Sequence, residues 1–165
     1  MTTCPNNQKT YLFGRGGSDA EHQKHQADIG TLLDNHQAIQ RHVTLLENGF
    51  SATTTSSNPE IIRTLQTHVT DMKARFAKGR GIRSWDKVYA LLFAYREQIN
   101  VDYQMNPDGV TSMVTTNNPQ LVEALHAHAH AVSSFVAQGR QGSGESYPIS
   151  EALEKYLDDA HNKGN

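Results

Sequence analysis

Three side chains with metal-ligating chemistry stand out by type and spacing. His68 and Met72 are four residues apart, and His128 follows His68 by sixty. On a helix, positions i and i+4 share a face, so His68 and Met72 could reach one ion together. Neutral imidazole is the commonest side-chain metal ligand, and a thioether partner favours copper(I) or haem iron over zinc. Two imidazoles and one thioether suit a copper ion best, and the same residues could serve as axial ligands to haem. Each residue also fits ordinary packing: histidine on an apolar stripe usually hydrogen-bonds a neighbour, and methionine fills core gaps.

The remaining histidines are weaker candidates. The stretch LHAHAHAV, residues 125–132, places His126 and His130 one turn apart on either side of His128. That pair could chelate zinc, copper or nickel, but two ligands alone bind weakly and without selectivity. His22, His25, Ile29, Leu32 and His36 fall along one helical line, and His36 is the member placed to reach the core.

A repeat positions these residues. The segment 58–80, NPEIIRTLQTHVTDMKARFAKGR, aligns without a gap to 118–140, NPQLVEALHAHAHAVSSFVAQGR. The offset of sixty also matches Gly49 with Gly109, Thr55 with Thr115, Leu32 with Leu92 and Ile39 with Ile99. The chain therefore divides into tandem units at about 21–80 and 81–140, in which His68 and His128 are the same position used twice. If a pseudo-twofold axis relates the units, these two imidazoles could approach each other across it.

Each unit has the same grammar. The first opens on a capping-box pattern, Ser18 and Glu21; the second opens on Ser84, ahead of Trp85, Val88, Leu92 and Tyr95 at helical spacing. Short β-like runs at 41–46 and 50–55 flank ENG, and runs at 101–105 and 110–115 flank NPDG, both hairpin signals. Asn58 and Asn118 then cap second helices that carry proline at the first position and stop at Gly79 and Gly139. The expected fold is α+β: two tandem α-β-β-α units forming a four-stranded antiparallel sheet with helices on one face. After the linker QGSGESYP, Ser150 caps a last helix, 151–161; residues 1–17 form an N-terminal arm, and 18–165 a single domain.

The segment 49–80, GFSATTTSSNPEIIRTLQTHVTDMKARFAKGR, and its counterpart 109–140 resemble an uncharacterised bacterial tandem-repeat family. Its members combine a Thr/Ser-rich strand, an Asn/Asp-Pro helix start, a Q-x-H-V-x-x-M segment and a later H-A-x-x-V-S-x-F-V-x-x-G helix. The resemblance covers about residues 30–140 and places His68, Met72 and His128 at the family's recognisable positions. It implies export and carries no activity. His126 and His130 fall outside the pattern.

Composition narrows the function classes. The formal charge is −2, with acids and bases interleaved, which gives no electrostatic footprint for nucleic acid. The longest apolar run, 88–95, is far too short to span a bilayer. One cysteine excludes an internal disulfide framework and a Cys-rich zinc site. As printed, the N-terminus suggests the cytoplasm; a trimmed start would instead be consistent with an exported protein, periplasmic or lipid-anchored at Cys4. No catalytic motif or committed acid–base pair appears, which weighs against an enzyme.

The first expectation is thus a small metal-binding protein, copper favoured, acting in sequestration, delivery or electron transfer through His68, Met72 and His128, with His36, His126 and His130 as lesser ligands. Haem binding is the near variant. The rivals are a non-catalytic interaction or scaffold protein with structural histidines, which includes a homodimer surface, and a small-molecule pocket lined by Trp85, Tyr89 and Phe93.

Overall fold

A computed structural model of the chain describes residues 20–79, 86–143 and 149–163. The expected arm, Ser18, Ser84 and Trp85 lie outside the described residues. Helix α1 spans Ala20–Asp34, strands β1 and β2 span Ile39–Leu46 and Gly49–Ser56, and helix α2 spans Pro59–Lys78. The second unit follows with α3 (Lys87–Ala94), β3 (Ile99–Asn106), β4 (Gly109–Thr116) and α4 (Pro119–Gln138). A one-turn helix α5 (Arg140–Ser143) and the C-terminal helix α6 (Glu151–Lys163) complete the described chain. The expected α+β fold is the observed one.

The four strands form one antiparallel sheet in the order β1-β2-β4-β3. Strand bounds in the two units differ by sixty at both ends, as do those of α2 and α4. The β2–β4 register pairs Ala52 with Ser112, which are also counterparts in the repeat. A pseudo-twofold axis therefore passes between these two residues, and every other β2–β4 pair is exchanged with another pair by it.

Local chemistry explains the elements. Asn58 and Asn118 accept hydrogen bonds from the N–H groups of Glu60 and Gln120, each at 3.0 Å, with proline next to the cap. Such caps satisfy donors that have no partner within the helix. Asp86 caps α3: its carboxylate accepts from the N–H groups of Val88 and Tyr89. A buried anion at a helix N-terminus is favoured by the dipole as well as by the hydrogen bonds. Residues 141–143, expected as linker, join Arg140 in the helical turn α5. Ser150 caps α6 as expected, through the N–H of Leu153, and the helix runs to Lys163.

Gly49 and Gly109 open the two central strands at a point of close approach. A Cβ on Gly49 would lie 1.9 Å from the carbonyl oxygen of Val114, and one on Gly109 would lie 1.9 Å from that of Thr54. Only glycine lets the neighbouring backbones come so near.

The two units are packed unequally. Every residue of α3 from Val88 to Phe93 is buried, and α6 adds Leu153 and Leu157 to the same core. Tyr95 stacks on Tyr156 with ring centroids 4.2 Å apart, and Lys87 pairs with Glu154. Helix α1 is the counterpart of α3, but its residues 28–33 are half-buried or exposed. Polar links hold it instead: Lys24 to Asp71 at 2.9 Å, and Asp34 to Arg140 through two bonds of 2.6 and 3.1 Å. Among the described residues no helix is long and apolar enough to cross a membrane.

Candidate functional site

The difference between α1 and α3 leaves a space. At matched positions α1 carries Ile29, Gly30, Thr31 and Leu33 where α3 carries Tyr89, Ala90, Leu91 and Phe93. Helix α3 fills the volume beneath it, whereas under α1 a cavity of about 580 Å³ remains between the helices and the sheet. Such a volume falls within the range of small-molecule sites.

Its helix-side walls are largely apolar: Ile29, Leu32 and Leu33 from α1, Leu65 and Val69 from α2, and Val132, Phe135 and Val136 from α4. His68, Met72 and His128 line this same cavity, and so does His36. His68 and His128 are half-buried on α2 and α4, and Nδ1 of each is a buried atom. The His128 ring meets Tyr89 edge-on at 5.2 Å and leans on Phe50 at 5.9 Å. Met72 lies against the Tyr89–Phe93 aromatic cluster, so it packs as well as lines. Nδ1 of His36 donates to the carbonyl of Val136 at 2.7 Å, and the ring sits against Gly139. A carbonyl can only accept, so that nitrogen carries a proton.

His126 and His130 are not among the cavity residues. His126 is half-buried, and its Nε2 donates to the carbonyls of Leu46 and Gly49 at 2.8 and 2.9 Å. Its repeat counterpart, Gln66, makes the matching pair of bonds to Asn106 and Gly109 at 2.9 and 3.1 Å. The role is structural in both units: each side chain ties a helix to the hairpin turn. His130 is exposed on α4. Among the described residues, no group of three or more histidine, cysteine or acidic side chains converges where a metal ion could sit. Of the expected aromatic lining that is described, Tyr89 lines the cavity and Phe93 does not. Phe93 faces a neighbouring space of about 50 Å³, which shares Met72, Tyr89 and His128 with the cavity, and packs edge-on against Phe76 at 5.2 Å.

The sheet wall holds residues that the histidine spacing did not point to. Arg41 and Thr54 are paired across β1 and β2, and Ser112 and Tyr103 across β4 and β3; all four line the cavity. Arg41 donates to the hydroxyls of Ser133 and Thr54, each at 3.2 Å. Burial pulls its guanidinium down to about 10, with Tyr89 and Tyr103 acting in the opposite direction. It remains a cation at neutral pH. Burial also pushes the Tyr103 phenol up to about 12, against the pull of Arg41. No aspartate or glutamate lines the cavity among the described residues. The inward position of Arg41 was available from the period-two alternation of Ile39, Arg41 and Val43 on a half-buried strand.

The arrangement can enclose an apolar molecule of modest size, offering imidazoles on the helix side and a guanidinium with hydroxyls on the sheet side. Comparison with protein-family models, curated proteins and solved structures returns no match to the chain.

Proposed function

We propose that the protein binds a small, largely apolar organic molecule in the cavity under α1. The observation that carries this reading is the cavity itself, about 580 Å³ with aliphatic walls from three helices. Empty apolar volume of that size forfeits dispersion contacts and destabilises a fold, so an occupant would recover what the gap costs. A bare metal ion would use only a small part of it.

A second reading is favoured by a different observation: His36, His68, Met72 and His128 all share this wall. Haem would fit both readings, being a large apolar molecule whose iron takes imidazole or thioether ligands. Copper on His68, Met72 and His128 is the narrower form of the same idea.

Ile29→Tyr/Leu33→Phe places on α1 the residues that α3 already carries and fills the cavity. The parent should take up the neutral probe N-phenyl-1-naphthylamine at one per chain, and the filled variant should not. Equal uptake by both, or none by the parent, would sink the cavity reading. Haemin and copper(I), titrated into the parent and into His68→Ala/His128→Ala, test the second reading. Ligation requires the double variant to lose uptake while still binding the neutral probe.

A further inference from the structure

We infer that the occupant is an apolar monocarboxylate whose carboxylate sits on Arg41. This deepens the cavity reading and rests on it. The repeat supplies an internal control, because each inward sheet position occurs twice in one scaffold. Arg41 has Val101 as its counterpart, Thr54 has Val114, Ser112 has Ala52 and Tyr103 has Val43. At all four positions the other unit packs an aliphatic residue. The sheet therefore does not need polar groups there, and they are concentrated on the side of the axis that faces the cavity.

Arg41 is the costly member of this set. Taking a guanidinium out of water is unfavourable unless it is paired and hydrogen-bonded. Its hydrogen bonds among the described residues go to two neutral hydroxyls, on Ser133 and Thr54, and no carboxylate pairs with it. A planar guanidinium matches a carboxylate in two parallel bonds. Arg140, the other guanidinium on the lining, is already paired with Asp34, so Arg41 leaves one positive charge to balance, which selects a monoanion over a phosphate dianion. Tyr103 adds a hydroxyl donor on the same wall, and the helix-side aliphatic groups take the apolar body.

The test uses the full chain and paired probes: dodecanoate against dodecan-1-ol, and 2-naphthoate against 2-naphthol, with dodecyl phosphate as the dianion. Each displaces N-phenyl-1-naphthylamine at neutral pH. At least one acid should bind ten or more times tighter than its alcohol. Which acid wins separates a lipid-derived ligand from an aromatic one. Arg41→Met should bring that acid to parity with its alcohol. Arg41→Lys keeps the charge without the planar fork and should retain part of the preference.

Acid and alcohol binding equally, a preference that survives Arg41→Met, or dodecyl phosphate outcompeting dodecanoate would each overturn the anchor. If the neutral probe still binds in those cases, the cavity reading stands and only the carboxylate assignment falls. If neither the neutral probe nor any acid binds, both fall. A melting temperature for Arg41→Met at or above that of the parent shows that the loss is not unfolding.

Discussion

Ala52 and Ser112 face each other across the central strand pair, and each occupies in its own unit the place that the other occupies sixty residues away. The relation makes every position of one unit a reference for its counterpart. A difference in side chain can then be assigned to fold or to site by asking which partner atoms are conserved under the axis.

His126 and Gln66 meet the same pair of turn carbonyls from opposite units. His126→Gln should therefore leave stability within about 0.5 kcal/mol of the parent. His126→Ala removes the donor from two carbonyls and should cost about 1 to 2 kcal/mol. Urea denaturation of the two variants checks the order. Equal losses would show that the ring contributes through packing and not through its N–H.

Gly49 and Gly109 have counterpart backbone oxygens, of Val114 and Thr54, in the way of a Cβ, each at 1.9 Å. Alanine at either place must push the central strands apart. Each substitution should cost about 3 kcal/mol or more, and the two losses should be similar. A large loss at one position and a small one at the other, read by thermal melting, would contradict the symmetry of the strand pair.

Tyr103 has its phenol raised from 10 to about 12 by burial. The neutral phenol's contribution is complete below pH 10 and is lost as pH rises through 12, because the unfolded chain gives up its proton first. Stability should thus fall over pH 10 to 12 by no more than about 3 kcal/mol on this account. Tyr103→Phe should flatten that limb in urea titrations at stepped pH. An unchanged slope would mean that the phenol reaches water in the folded protein.

Helix α1 is tied by exposed ion pairs, whereas α3 is sealed by apolar burial from Val88 to Phe93. Elements with few buried contacts open at low free energy. Amide exchange should be faster along α1 than along α3, and a bound ligand should slow α1 selectively. Equal protection in both helices before ligand is added would show that the ion pairs hold α1 as firmly as burial holds α3.

Much of this was legible from the chain. The gapless offset, the Asn-Pro helix starts and the two turn signals gave the strands to within two residues, because hydrogen-bond pairing extends one or two positions past the alternating apolar pattern. The inward faces of His68, Met72 and His128 followed from helical spacing. Two things did not follow. Spacing placed His126 to one side of His128, but its reach to a hairpin turn depends on how closely α4 crosses the sheet. The cavity depends on how far α1 stands from the strands, a distance that two similar amphipathic patterns do not encode. The size differences Ile29/Tyr89 and Leu33/Phe93 were visible, but only the packing shows that nothing compensates for them.

The axis between Ala52 and Ser112 has one more consequence. Two separate, identical half-chains meeting through this strand pair would be bound by exact equivalence, so any hollow under one helix would recur under the other. Each half would then have to serve as support and as receptacle at once. Joining the halves in one polypeptide removes that obligation. One helix can grow bulky and sink while its twin stays slender, and the burden of holding the molecule together passes to a single side.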